Sequence, residues 1–268
     1  MTDSRTLTLN HVADALFGVT LPPRWQDGAI SNTVIDSRAA TAGALFVALR
    51  GEKTDGHLFL NAAFERGAIA AIAQEHGLDA CERAAFVWPD GHVEERGAAP
   101  ETQRDPEILP VVFVVPDSLA ALQRLAAHWR SQLPVVTSGV TGSVGKTTTK
   151  ETIANVLATR YTTTRSEGNL NNEIGLPLTL LRLGPTMQRA VLEMGMYTLG
   201  EIAQLCEIAR PRIGVVTNVG PAHLERLGTI ETIAQAKSEL PRSLPPAGDG
   251  GVAILNRDDP LVWAMAGV

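Results

Sequence analysis

Cysteine is scarce in this chain. Two residues, Cys81 and Cys206, occur in 268, far apart and without metal-ligand spacing. That excludes a disulfide framework and reads as two reduced thiols of a cytosolic protein. Positive charge is not in excess either. The formal net charge of -6 argues against general nucleic-acid binding, which needs a basic surface, yet leaves room for a local positive pocket that holds phosphates. No run approaches the ~18–20 apolar residues of a membrane span, and the opening Met-Thr-Asp-Ser-Arg-Thr leads into no apolar h-region. No internal repeat is visible. What remains is an ordinary globular composition, 44% hydrophobic and 19% charged, long enough for two modest domains at about 100–200 residues each. The expected location is the cytoplasm.

The chain divides by rhythm. Residues 1–116 mix short strands and helices. Strands are predicted at Thr33–Asp36, Ala44–Leu49, Ala68–Ile72 and Val111–Val115, and a helix over Leu58–Arg66. Residues 88–110, rich in proline, glycine and charge, read as an exposed insertion. Asp117 or Ser118 can cap a helix that runs to Gln132, with Leu119, Leu122, Leu125 and Ala126 on one face and Pro134 ending it. Residues 117–268 alternate strand and helix. Strands are predicted at Val135–Thr137, Arg189–Glu193, Ile213–Thr217 and Gly251–Leu255, with helices at 147–159, 200–209 and 229–240. This βαβ rhythm implies a largely parallel sheet with helices on both faces, which binds ligands at the carboxyl ends of its strands.

The polar motifs fall at those ends. The run Gly139-Val-Thr-Gly-Ser-Val-Gly-Lys-Thr147 follows a strand and opens a helix, the context of a phosphate-binding loop. Glycines let backbone N–H groups turn inward around an anion, and the helix N-terminus adds partial positive charge. Lys146 can reach β- and γ-phosphates, and Thr147 can offer its hydroxyl to Mg²⁺. Val140 occupies the position where the common pattern has its first glycine, so the glycines stand at 139, 142 and 145. Glu193 ends a strand, where a carboxylate can hold a hard cation opposite Thr147 or be merely structural. Asn218 and His223 follow the next strand; a lone histidine is more often a hydrogen-bonded or exposed residue than a ligand. Lys237, on a helix, would ordinarily point at solvent. Asn256 can cap a turn or read a base edge. Asp36 can be a turn residue and Arg38 a solvated one.

Together these residues resemble the Mur ligase family. In the first segment the resemblance rests on Asp36-Ser-Arg38, Gly43–Leu49 and Gly51-Glu-Lys-Thr-Asp-Gly-His57. In the second it rests on Thr141–Glu151 with its shifted glycine, Gly168–Leu181, Glu193-Met-Gly195 with Gly200-Glu-Ile202, Thr217–Glu225, and Ala236-Lys-Ser-Glu239. It implies a small mixed α/β uridine-nucleotide-binding domain, 1–116, followed by a P-loop-type central ATP-binding domain, 117–268. The central sheet is then incomplete, and the Rossmann-like third domain of the family is lacking, so the resemblance implies a chain truncated at its C-terminus, with an unpaired sheet edge liable to aggregate.

The reaction implied is ATP-dependent ligation of D-alanyl-D-alanine to UDP-N-acetylmuramoyl-tripeptide through an acyl phosphate, in peptidoglycan precursor synthesis. The Asn169–Gly175 stretch favours this branch over the one that adds the third amino acid to the dipeptide precursor. A third alternative is a non-catalytic binding fragment. By resemblance, ATP falls to Gly142, Ser143, Gly145, Lys146, Thr147, Thr148, Asn171, Asn172 and Asn256, with either asparagine of the 171–172 pair near phosphate or metal. One Mg²⁺ falls to Thr147 and Glu193, and a second to His223. Lys237 matches the lysine that the family carbamylates with CO₂, which turns a repelling ammonium into an anionic ligand for Mg²⁺. Lys146, His223 and Lys237 are the catalytic candidates. Ser37 and Arg38 are candidate contacts to the uridine diphosphate, with Lys53–His57 as further ones. The full-length protein is expected to be monomeric, and this chain alone inactive.

Overall fold

The computed structural model describes residues 6–97, 109–221 and 224–267. The chain forms two compact units, Met1–Trp129 and Arg130–Val268.

In the first unit, helices α1 (Leu9–Phe17) and α2 (Pro23–Gln26) precede strands β1 (Thr33–Val34) and β2 (Leu45–Val47). Helix α3 (Leu60–Glu65) then leads to β3 (Ala70–Ala73), β4 (Ala84–Val87), β5 (Val93–Arg96), β6 (Val111–Val114) and helix α4 (Ser118–Ser131). The strands make one sheet in the order β1-β2-β3-β6-β4-β5. It is parallel except for β5, which pairs antiparallel with β4. β2, β3, β4 and β6 are buried along their whole length, as continuous apolar strands covered on both faces should be. α4 is capped by Asp117, whose carboxylate accepts the N–H groups of Leu119 and Ala120.

Strand β4 and helix α2 have no counterpart in the sequence reading, and four further details depart from it. The strand expected at Thr33–Asp36 stops at Val34, because Asp36 turns to cap a 3-10 turn over Ser37–Ala39. Inside the expected insertion at 88–110, Val93–Arg96 pairs as a charged edge strand, which its short Val-Glu-Glu-Arg run conceals; residues 98–108 lie outside the described residues. The helix expected from Leu58 begins as a 3-10 turn, Gly56–Phe59, and becomes α-helical only at Leu60. Helix α1 was not expected, although Thr8 and His11 close a reciprocal cap at its start.

In the second unit, β7 (Val136–Thr141) leads into α5 (Lys146–Ala158), followed by β8 (Thr163–Arg165), α6 (Gly175–Leu181), β9 (Arg189–Glu193), α7 (Glu201–Ala209) and β10 (Ile213–Val216). Then come α8 (Leu224–Leu227), α9 (Ile230–Arg242), β11 (Val252–Leu255) and α10 (Pro260–Trp263). The sheet is parallel throughout, in the order β11-β10-β7-β9-β8. Side chains alternate across it. Val140, Val191 and Val215 meet Ala154 of α5 on one face. On the other face Gly139 and Gly214, paired in register, lie under Leu240 of α9. β11 forms one edge and exposes Val252 and Ile254.

Candidate functional site

β7 runs through Thr141, four residues past its expected end at Thr137, so Gly139 is a strand residue and not part of a loop. A Cβ there would lie 3.0 Å from both Leu240 Cδ1 and Met194 Sδ. Its glycine makes room for α9, and Val140 beside it packs into the core with Ala154. The loop proper is Gly142–Gly145. Gly142 has φ 148° and Gly145 φ 83°, values that favour glycine, and a Cβ on Gly142 would meet Thr217 Oγ1 at 1.9 Å. The loop delivers the chain into α5, whose first N–H groups have no acceptor within the helix. Lys146 reaches back across the loop and donates to the carbonyls of Gly142 (2.9 Å) and Ser143 (3.5 Å).

Glu193, at the end of β9, is the organising carboxylate. It is 3% exposed. Thr147 Oγ1 donates to its Oε2 at 2.8 Å and Asn171 Nδ2 to its Oε1 at 2.9 Å. The Ser166 hydroxyl accepts its backbone N–H at 2.8 Å. Lys150, fully buried, stands 3.9 Å from Oε2 while donating to the Ser166 carbonyl at 2.7 Å. This arrangement fits a hard divalent cation: the Thr147 hydroxyl can offer a lone pair outward while its O–H donates to Glu193. The two neighbouring asparagines part ways. Asn171 faces Glu193, whereas Asn172 Oδ1 accepts the N–H of Gly175 and so starts α6.

Lys237 does not point at solvent. It is 2% exposed, and burial, then the nearby Lys146 ammonium, lower its pKa to about 8. Leu240 lies one turn further along the same face of α9, so the glycine floor under Leu240 lets the helix approach the sheet closely. Lys146, Asn171, Asn172 and Lys237 line one cavity of about 150 Å³, together with Gly142, Gly195 and Tyr197.

Other candidates lie apart from that cavity. Ser143 exchanges hydrogen bonds with the backbone of Gly220. Thr148 is exposed in the first turn of α5. Asn256, past the end of β11, donates to the Thr217 carbonyl and accepts the Asp258 N–H, the turn arrangement that its position allowed. His223 lies outside the described residues. In the first unit, Arg38 pairs with Asp36 through three contacts of 2.7–3.1 Å. Hydrogen bonds from the Arg38 side chain, then from its backbone N–H, bring the Asp36 carboxyl down to about 2. His57 is not available as a ligand contact: it is 1% exposed, donates through Nδ1 to Asp55 (2.5 Å) and accepts the Gln74 N–H on Nε2 (2.9 Å). Those bonds also argue against a metal in the Asp55, His57, His76 group. Cys81 and Cys206 are buried and unpaired.

Sequence reasoning missed Lys150, Ser166 and the loop-holding role of Asn218. The signal for Lys150 was its position four residues after Lys146, on the same side of α5.

Two family models cover most of the chain: "Mur ligase family, catalytic domain" over residues 29–130 and "Mur ligase middle domain" over 140–267. The chain belongs to the Mur ligase family. Among similar Mur ligases is the UDP-N-acetylmuramoyl-tripeptide–D-alanyl-D-alanine ligase of Synechocystis sp., 43% identical over 90% of this chain and 47% of that protein. The crystal structure of MurF from Acinetobacter baumannii matches 98% of this chain and 51% of its own, with TM-score 0.75 and 30% identity. MurF from Thermotoga maritima, solved in complex with ADP, matches 84% of this chain and 49% of its own, with TM-score 0.63 and 32% identity. The chain thus spans about half the length of the Mur ligases it matches.

Proposed function

We propose that this chain supplies the uridine-precursor and ATP sites of a ligase that joins D-alanyl-D-alanine to UDP-N-acetylmuramoyl-tripeptide in peptidoglycan precursor synthesis. The observation that carries this reading is the convergence of Lys146, Asn171 and Lys237 on one cavity, with Glu193 bound to Asn171 and Thr147 beside it. It gains support from relatives named as this ligase.

In this reading a carboxylate oxygen of the tripeptide terminus attacks the γ-phosphorus of ATP, ADP leaves, and an acyl phosphate forms. The amine of D-alanyl-D-alanine then attacks the acyl carbon, and the tetrahedral intermediate expels phosphate. A γ-phosphate and a carboxylate repel each other, so the protein must hold them together with positive charge. Lys146 neutralises charge on the β–γ bridge, and the amides that open α5 hold the phosphates. Thr147 and Glu193 would hold one Mg²⁺ and His223 would hold a second, and bound Mg²⁺ would supply Lewis-acid charge neutralisation. Asn256 takes the adenine end, and Ser37 and Arg38 take the uridine diphosphate.

Lys237 acts as a carbamate. With its pKa brought down to about 8, its neutral amine is accessible near physiological pH. The amine nitrogen attacks the carbon of CO₂, one C=O electron pair moves to oxygen, and water takes the released proton. The anionic product then attracts the Lys146 ammonium that the lysine repelled.

The test uses the 268-residue chain in calorimetry with Mg-ADP and, separately, with UDP-N-acetylmuramoyl-tripeptide and the corresponding dipeptide. The expected result is binding of Mg-ADP and preference for the tripeptide precursor. Binding of neither nucleotide would overturn the reading, and preference for the dipeptide would favour the branch that adds the third amino acid. Phosphate release with all three substrates decides whether this chain also turns over.

A further inference from the structure

The tip of the phosphate loop is held by a side chain from another strand end. Asn218 follows β10 and closes on both backbone groups of Val144: its Oδ1 accepts the Val144 N–H at 2.9 Å, and its Nδ2 donates to the Val144 carbonyl at 2.9 Å. Its own carbonyl accepts the Ser143 N–H at 3.0 Å. Thr217 Oγ1 adds a bond to the Val144 carbonyl at 2.7 Å. The backbone of this segment is tied in turn to the loop that follows β11. The Val219 N–H donates to Asp259 Oδ2 at 2.7 Å, and Asn256 donates to the Thr217 carbonyl at 2.9 Å.

From this geometry we infer that Asn218 is a positioning residue for nucleotide phosphates, acting through the loop without touching the nucleotide. The N–H groups of Ser143 and Val144 are both engaged by Asn218 and turned away from an incoming anion. The anion seat is therefore left to the amides of Gly145, Lys146 and Thr147 and to the Lys146 ammonium. A glycine-flanked tip of this kind has many conformations open to it, and a side chain that satisfies both backbone groups of Val144 selects one. The inference rests on the nucleotide-binding reading above, but its first readout does not.

The experiment compares the wild-type chain with Asn218→Ala by amide hydrogen exchange without nucleotide, and by calorimetry with Mg-ADP and with adenosine. The expected result is faster exchange at Val144 by about tenfold or more and Mg-ADP affinity weakened by about tenfold, the scale of two hydrogen bonds lost. Adenosine affinity should be unchanged, because it carries no phosphate. Should Asn218→Ala fail to fold, Asn218→Asp serves in its place. It keeps an acceptor for the Val144 N–H but loses the donor to the carbonyl, so Val144 stays protected while Mg-ADP weakens. Unchanged exchange at Val144 in Asn218→Ala, or a parallel loss of ADP and adenosine, overturns the inference. A wild-type chain that binds no ADP refutes the nucleotide reading instead, and the exchange data still decide whether Asn218 holds the loop.

Discussion

Gly142 is the residue on which the loop's shape depends most directly. Its φ of 148° and the 1.9 Å gap to Thr217 Oγ1 leave no room for a side chain. Gly142→Ala must therefore push the loop off the β10 segment. The expected outcome is loss of Mg-ADP binding by at least about tenfold, with a destabilisation of about 1–3 kcal/mol from overpacking; calorimetry and urea titration measure the two. Asp55 sets a pH dependence in the other unit. Burial would raise its pKa, but the His57 backbone N–H and the His57 and His76 rings outweigh it and hold it at about 2, below the ordinary 3.8. A depressed carboxyl stabilises the fold above its unfolded value, and the contribution disappears as pH falls through the folded value. Wild-type stability should thus drop between about pH 4 and pH 2, and Asp55→Asn should flatten that slope. Tryptophan fluorescence can follow it, since Trp25, Trp88 and Trp129 all lie in the first unit. An identical slope in both proteins would remove Asp55 from the account.

Among the elements, α9 shows how packing delivers chemistry. It lies on a floor of two glycines, Gly139 and Gly214, under Leu240, and Lys237 projects from the same face one turn earlier. Gly139→Ala should lift the helix and cost about 1–3 kcal/mol. Leu240→Ala in the same chain should recover part of that cost, a non-additivity that a double-mutant cycle in urea reads out. Purely additive losses would mean that the glycine floor does not seat the helix. This element also shows what was legible in advance. The strand–loop–helix order, the parallel sheet and the polar strand ends follow from periodicity and turn residues, and the structure bears them out. The job of Gly139 does not, because a glycine that admits a helix and a glycine that turns a loop look alike in sequence. Helix α6 escaped because all seven of its residues are buried, which erases the apolar stripe that marks a surface helix. Asn218 and Lys150 act on partners 74 and 16 residues away, and no local pattern records such contacts.

At the scale of the whole molecule, two α/β units each carry one part of the proposed chemistry: Ser37 and Arg38 in the first, the phosphate loop with Glu193 and Lys237 in the second. The net charge of -6 is compatible with phosphate binding because the cations are concentrated locally. Lys146 and Lys237 line one small cavity, and Lys150 lies behind Glu193. The central claim is that this local cluster binds a nucleotide's phosphates with a divalent cation on Thr147 and Glu193. The most direct test is Mg-ADP titration of the 268-residue chain and of its Lys146→Met and Thr147→Ala variants, with and without Mg²⁺. The expected result is wild-type binding that strengthens with Mg²⁺, loss of at least about tenfold in Lys146→Met, and a Thr147→Ala variant that no longer responds to Mg²⁺. Equal affinity in all three proteins, with or without the cation, would contradict the account.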